Sequence, residues 1–330
     1  MVKVRPFQGY LANKKNAAKV ISPAYDVLDT AEALAMSKGN PMSFLHVNKP
    51  EIDLPKGTDP YSDSVYQKGR DNLLKFIEKG YLEEDSEETM YIYRQVMGSH
   101  TQQGIVALAN INDYETNKIK RHEYTLPKKE QDRTKLTDIQ CANVGPVFLT
   151  FSEGQEEIKA KMNEVINNNA PYGDVTCDDG NAIVRHVLWR CPVAASNFFQ
   201  KAFSKISALY VADGHHRTAA AYNVGRDKRD KALAAGLKVT GEEPFNYFMT
   251  LLYPADNLYV LDYNRVLKSL GDNTVEQFMA GLKKNFTIKP LAKGADTTVK
   301  ARHQFSLLLE KKWYTMTLKP SKLNTSSPIT

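Results

Sequence analysis

Residues 207–222 constrain the fold more than any other stretch of the sequence, because they require a buried strand to run directly into a helix. The apolar run at 209–212 predicts a short buried strand. The turn Asp213-Gly214-His215-His216-Arg217 follows at once, and the alanines at 219–221 favour a helix after it. The unpaired first N–H groups of such a helix lie at the turn, where they can bind a phosphate or a carboxylate.

The side chains of this turn suit the same kind of ligand. Arg217 can clamp an anion through two N–H groups, and His215 and His216 occupy the first helical turn, where both can face one ligand. Asp213 can hold a Mg²⁺ ion that bridges phosphate oxygens, or it can accept a proton. The alternative is that Asp213 serves only as a helix N-cap. Together with Gly214, these residues form the candidate phosphate site.

The composition leaves the class of ligand open. The 330 residues are 42% hydrophobic and 25% charged, and the net charge of +6 suits an anionic small molecule as well as nucleic acid. No apolar stretch approaches the roughly 18 residues of a membrane span, and Met1 to Arg5 lead into no signal-peptide core. The predicted location is therefore cytoplasmic, without a membrane partner. The three cysteines form no CxxC pair, so neither a disulfide framework nor a zinc site is indicated.

Strands and helices succeed one another without regular βαβ alternation, which favours an α+β fold. Strands are predicted at 20–27, 41–47, 90–96, 105–111, 147–151, 174–177, 182–189, 245–252, 258–261, 305–309 and 313–318. Helices are predicted at 61–79, from Pro127, and at 154–168, 197–206 and 275–284. Residues 1–320 form the main region, with two lobes as one option whose boundary the composition does not place, and 321–330 form a loose tail.

Several familiar phosphate-binding and catalytic motifs are absent from the sequence. It contains no GxxxxGK[ST], GxGxxG, GxSxG or HExxH. These absences argue against a P-loop, a dinucleotide-binding turn and a kinase glycine loop. If the protein transfers phosphate, it must hold the anion with a helix N-terminus, histidine, arginine and a metal ion.

Five motifs resemble known families. ADGHHRTAA at 212–220 resembles the signature of the ParB/sulfiredoxin-like superfamily. SPAYDV, SFLHVNKPEIDLP, HEYTLPKKEQDR and GPVFLTF, at 22–27, 43–55, 122–133 and 145–151, resemble the DUF1015 family in order and spacing. The resemblance implies a ParB/sulfiredoxin-like mixed sheet with helices, elaborated by a second α/β portion. Relatives of this type include free-serine kinases, so it also implies transfer of phosphate from pyrophosphate to L-serine, which gives O-phospho-L-serine.

The resemblance also implies roles for individual residues. The turn from Asp213 to Arg217 would contact the phosphate donor, and Asp213 would assist the transfer with Mg²⁺. Lys129 and Arg133 are second candidates for the outer phosphate. The base for the serine hydroxyl would be Asp26, which the resemblance favours, or Glu123. The serine carboxylate needs a cation, and by its chemistry Arg94 or Arg265 can supply it. The segment 121–133, which contains several of these residues, is alternatively a plain solvated helix.

Other functions fit the same turn. The donor can be ADP or ATP instead of pyrophosphate, and the reaction can run backwards as a phosphoserine phosphatase. A ParB-like regulator that binds a nucleotide or DNA is a different class of protein, although nucleic acid is not the expected partner. Sulfiredoxins place a catalytic cysteine in this turn, whereas here His215 stands in the turn and no cysteine is near. The sequence indicates no oligomeric state.

Overall fold

The structure is a computed structural model that describes residues 1–178, 182–260, 262 and 264–322. The chain divides into two compact units, of which the first comprises Met1–Tyr259 and the second begins at Val260. Each unit has at least one sheet and one helix of its own. Of the predicted loose tail, Ser321 and Lys322 belong to the short 3-10 helix Pro320–Lys322, and 323–330 lie outside the described residues.

The first unit combines one large sheet with helices and a small second sheet. Its strands are β1 (Val4–Arg5), β2 (Tyr10–Ala12), β3 (Leu82–Glu84), β4 (Tyr91–Met97), β5 (His100–Asn110), β6 (Ile119–Lys120), β7 (Val147–Phe151), β8 (Gly173–Asp178), β9 (Ile183–Arg190), β10 (Leu209–Asp213) and β11 (Tyr247–Pro254). Its helices are α1 (Ala17–Val20), α2 (Thr30–Ser37), α3 (Leu45–Asn48), α4 (Asp63–Glu78), α5 (Ile111–Glu115), α6 (Pro127–Gln140), α7 (Gln155–Asn168), α8 (Val193–Phe203) and α9 (His215–Ala234).

The large sheet is mixed, which confirms the predicted α+β class. Eight of its nine strands follow the order β6-β10-β7-β11-β5-β4-β9-β8, and β1 pairs with β5 beside this path. The pairs β6–β10 and β7–β11 are parallel, whereas the other pairs are antiparallel. The strand β10 lies between the edge strand β6 and β7, and α9 begins at the turn that follows β10.

Helix ends follow the capping signals of the sequence. Pro127 is the first residue of α6, as its fixed φ and missing N–H favour. Gly80 follows α4 with φ +65°, the left-handed conformation that ends many helices. The predicted hairpin of β4 and β5 is also confirmed, although its turn is shorter than expected, because Met97 and His100 already pair with each other.

Three predicted strands are wrong. Val20 ends the short helix α1 and is followed by a loop, and the residues at 41–47 lead into α3 instead of forming a strand. Val20 and Val47 are buried in a small cluster with α4 residues such as Phe76. Short apolar runs suit a buried helix or loop as well as a strand, so tertiary packing decided the outcome. Residues 258–260 form no strand, and Leu261 lies outside the described residues.

The second unit contains one helix and a three-stranded sheet within its described residues. The helix is α10 (Val275–Asn285), and the strands are β12 (Phe286–Pro290), β13 (Gln304–Leu309) and β14 (Lys312–Leu318), in the order β12-β14-β13. Thr274 and Gln277 cap α10 reciprocally, through the Thr274 hydroxyl and the Gln277 side chain. Across the described residues of both units, no helix is long and apolar enough to cross a membrane.

Candidate functional site

The turn between β10 and α9 leaves the start of the helix without a side-chain cap. Gly214, not Asp213, is the N-cap residue, and it has φ +96°. A Cβ atom at this position would lie 3.1 Å from Arg217 Nε, so both the backbone conformation and the available space favour glycine. Because glycine supplies no acceptor, the first N–H groups of α9 remain available to an anion.

Asp213 and Arg217 form an ion pair across this turn. Arg217 Nη2 donates to Asp213 Oδ2, and Arg217 Nη1 donates to the Pro146 carbonyl oxygen. The Arg217 side chain is only 17% exposed, whereas Asp213 is 60% exposed. The guanidinium is therefore held in place between two acceptors, and the carboxylate faces solvent, where a cation can reach it.

His215 is buried and uncharged at neutral pH. Its Nε2 accepts a hydrogen bond from the backbone N–H of His122 at 3.3 Å, and its Nδ1 lies 3.4 Å from Glu123 Oε1. Burial, and next the neighbouring His122, lowers the pKa of His215 to about 4. With a partner at each ring nitrogen, His215 fixes the position of the neighbouring loop and brings no positive charge to an anion.

His216 connects the helix to the same loop. Its Nε2 accepts a hydrogen bond from the backbone N–H of Leu126 at 3.1 Å. The two histidines thus attach residues 122–126 to the first turn of α9, and Glu123 is brought to the site with its side chain 56% exposed. This loop leads into α6, which packs against α9.

Arg133 on α6 belongs to a second cluster of polar side chains. Its guanidinium stacks on the ring of Tyr25 at 4.2 Å and pairs with Asp132 at 2.6 Å. Tyr66 donates a hydrogen bond to Asp132 at 2.9 Å, which fixes the carboxylate from the other side. Tyr25, Asp132 and Tyr66 were not predicted from the sequence as site residues, although Tyr25 and Asp132 lie inside the motifs at 22–27 and 122–133.

Tyr25 links the two clusters. Burial raises its pKa, whereas the charges of Arg133 and Arg217 act in the opposite direction. Both guanidinium groups therefore lie close enough to Tyr25 to influence its phenol. The exposed Asp26 follows Tyr25 directly, and its role as the base stays a prediction.

Nearly the whole chain matches one protein family. The model of that family, described as "Protein of unknown function (DUF1015)", covers residues 4–330. The chain belongs to the DUF1015 family. No curated protein and no solved structure matches it. The family resemblance predicted from the motifs is confirmed, and kinship with ParB and sulfiredoxin proteins stays a prediction.

In this DUF1015 protein, the remaining predicted site residues belong to other elements than the turn. Lys129 is exposed on α6. Arg94 lies on β4, and β7, β11 and β5 separate β4 from β10. At about 4.8 Å per strand, roughly 19 Å separates the two strands. Arg265 belongs to the second unit, so the site in the first unit is described without it.

The predicted Mg²⁺ site has one protein carboxylate. Among the described residues, no group of three or more His, Cys, Asp or Glu side chains is placed to hold a metal ion. Mg²⁺ commonly keeps several waters and binds one or two carboxylates together with substrate phosphates. Asp213 therefore suits a Mg²⁺ ion that arrives with a phosphate ligand better than an ion held by the protein alone.

Proposed function

We propose that this protein is a phosphotransferase that transfers a phosphoryl group from pyrophosphate to the hydroxyl of free L-serine. The products would be O-phospho-L-serine and phosphate. The observation that carries the proposal is the uncapped N-terminus of α9 with the fixed guanidinium of Arg217 beside it. The serine acceptor and the pyrophosphate donor rest on the resemblance of the five motifs.

The donor would bind at the first turn of α9. Backbone N–H groups and the positive end of the helix dipole favour phosphate oxygens there. Gly214 has no side chain to obstruct a close approach of the anion. Arg217 would contact the transferring group, and Mg²⁺ entering with pyrophosphate would bind Asp213, which now pairs with Arg217. Arg133 would bind the outer phosphate or the serine carboxylate.

The transfer needs a base and a leaving group. The serine Oγ forms a bond to one phosphorus, the bond from that phosphorus to the bridging oxygen breaks, and phosphate leaves with the bridging oxygen. The hydroxyl proton would pass to the carboxylate of Asp26 or Glu123, which are both exposed. Glu123 lies 3.4 Å from His215 Nδ1, and Asp26 follows Tyr25 in the chain. Positively charged and N–H groups around the transferring phosphoryl stabilise its charge in the transition state.

The test is phosphoserine formation from L-serine and Mg²⁺ with pyrophosphate, ADP and ATP compared side by side. The proposal expects product with pyrophosphate, detected by phosphorus NMR and mass spectrometry. Product with ADP or ATP only would show that the nucleotide is the donor, and the assignment as a serine kinase would stand. No product with any donor would refute the kinase, and DNA retention that falls steeply with salt would then favour the ParB-like alternative.

A matched pair of variants tests the site itself. Asp213 and Asp227 each form an i,i+4 ion pair with a cation on α9, and they are 60% and 51% exposed. Asp213→Asn should abolish most phosphoserine formation, because it removes the only proposed Mg²⁺ carboxylate. Asp227→Asn should leave activity unchanged. Equal activities of the two variants would overturn the assignment of Asp213.

A further inference from the structure

A second group of charged residues lies on the part of the large sheet furthest from β10. Cross-strand pairing places Arg94 opposite Val187, and Val96 opposite Arg185. Arg94 and Arg185 are therefore diagonal neighbours on one face of the sheet, a relation that brings long side chains within reach of each other. Asp174 pairs with Val187 from β8 and adds one carboxylate to the same face.

These side chains line a cavity of about 300 Å³ that also includes Ile166 from α7 and Trp189 from β9. Val96, Ile166, Val187 and Trp189 form its apolar wall. A water molecule occupies about 30 Å³ in the liquid, so the cavity has room for a ligand about the size of an amino acid. It resembles known small-molecule sites in combining an apolar wall with a few polar groups.

The two arginines of this cavity differ in their partners. Arg185 forms a two-point ion pair with Asp174 at 2.9 and 2.5 Å. The guanidinium carbon of Arg94 lies 5.1 Å from the centre of the Trp189 ring. Its Nε and Nη2 donate to the neutral side-chain oxygen of Gln103 at 3.1 and 2.9 Å. Within the described residues Arg94 has no carboxylate partner. Burial and the charge of Arg185 lower the pKa of Arg94, so an anion in the cavity would relieve this unfavourable environment.

Arg94 is also held rigidly. Gln103, which accepts its two hydrogen bonds, donates in turn to Asn163 on α7 at 2.9 Å. The C-terminal end of α7 lines the cavity as well, and its carbonyl dipole opposes an anion, but Asn169 donates to the Val165 carbonyl at 2.7 Å and partly satisfies that end. A fixed cation loses little conformational entropy when a ligand binds, which favours binding.

We propose that this cavity is a binding site for a small monocarboxylate with a branched apolar chain, separate from the turn at α9. The carboxylate would bind the guanidinium of Arg94, and the apolar chain would contact Trp189 and the valines. Gln103 uses two of the five N–H groups of Arg94, and the three that remain suit the two oxygens of one carboxylate. The inference does not depend on the proposed kinase activity.

The first experiment uses the fluorescence of Trp189. The chain has two tryptophans, so Trp313→Phe leaves Trp189 as the only one. The full-length Trp313→Phe protein is titrated at pH 7.5 with 4-methylpentanoate and with the uncharged 4-methylpentanamide. We expect a saturable signal with the acid and at least ~10-fold weaker binding of the amide, because the charged partner is lost. Equal binding of the two, or no binding of either, would overturn the proposal.

Variants separate recognition of the anion from contact with the apolar wall. Arg94→Gln should weaken binding of the acid by ~10-fold or more, whereas Asp174→Asn should strengthen it several-fold, because Arg185 loses its carboxylate partner. Arg302→Gln, an exposed arginine of the second unit, serves as the control. Unchanged affinity in both cavity variants would refute the site. If Arg94→Gln fails to fold, the affinity of Asp174→Asn for the acid tests the site alone. Tighter binding of inorganic phosphate than of the acid would refute the proposal that the ligand is a carboxylate.

Discussion

The first turn of α9 and the cavity beside Trp189 each contain an Asp–Arg ion pair. The two sites differ in the source of the additional positive charge that an anion would meet. At α9 the backbone contributes, because the first N–H groups of the helix have no side-chain cap. In the cavity the charge comes from side chains, with Arg94 as the cation that lacks a carboxylate partner among the described residues. A site based on backbone groups keeps part of its field when one arginine is replaced, whereas a site based on one side chain does not.

The largest expected effect comes from Arg217→Lys. Arg217 contacts Asp213 and the Pro146 carbonyl with two different nitrogens, and the single ammonium of lysine cannot reproduce that geometry. If the proposed transfer is correct, phosphoserine formation should fall by about 100-fold, the usual scale for losing one transition-state donor.

The controls for Arg217→Lys separate the two regions. Arg302→Lys should behave like the wild type, because Arg302 is exposed in the second unit. Binding of 4-methylpentanoate should also be unchanged in Arg217→Lys, since that probe is assigned to the other site. Activity within about 3-fold of the wild type would show that the helix N-terminus alone suffices and that Arg217 is structural.

Lowering the pH should reduce the free energy of unfolding through His215 in the α9 region, and not through the arginines of the cavity. The pKa of His215 is about 4 in the folded protein, against about 6.5 when unfolded. The unfolded chain therefore binds more protons between these values, and stability falls as the pH falls through that window. From His215 alone, the free energy of unfolding should fall by about 2 kcal/mol between pH 7.5 and pH 5.

Urea unfolding at these two pH values checks the prediction. His215→Gln should lose this part of the pH dependence, because an amide does not titrate there. The arginines of the cavity keep their charge throughout the range, so Arg94→Gln should retain the wild-type pH dependence. A His215→Gln variant with the full wild-type pH dependence would show that other groups, and not His215, cause it.

A smaller effect is expected from Tyr25. Tyr25→Leu removes the ring on which Arg133 stacks at 4.2 Å, an interaction of about 1 kcal/mol, or roughly 5-fold in affinity. Calorimetric titration with pyrophosphate in the presence of Mg²⁺ should show this weakening. Tyr25→Phe keeps the ring and should bind as the wild type does. If both variants bind equally weakly, the phenol oxygen and not the ring is what the ligand needs.

The sequence predicted the local part of the α9 site better than its surroundings. The strand, the glycine turn and the helix follow from residues next to one another, and so does the start of α6 at Pro127. The contacts of His216 with Leu126, 90 positions apart, depend on how α6 packs against α9. No local pattern encodes such a contact, which is why the neutral state of His215 and the positioning role of both histidines were not anticipated.

The placement of Arg94 shows the same limit on a larger scale. Arg94 was predicted to bind the serine carboxylate because arginine suits that ligand, and the strand that contains it was predicted correctly. Its distance from the turn depends on the strand order, in which β11 inserts between β7 and β5. The late strand β11 thus separates β5 from β7, which are closer to each other in sequence. Only the fold reveals that Arg94 lines a different cavity.

The smallest effects concern the two ion pairs themselves. Arg217 is 17% exposed and Arg185 is 55% exposed, so loss of the carboxylate partner should cost more in the first pair. Asp213→Asn should lower the free energy of unfolding by about 1 kcal/mol, because a mostly buried guanidinium loses a charged acceptor. Asp174→Asn should leave the urea midpoint unchanged. Equal destabilisation by Asp174→Asn and Asp213→Asn would contradict this expectation. It would show that the carboxylate of Asp174 is needed to hold two neighbouring arginines together. The positive charge available to an anion in the cavity would then be smaller.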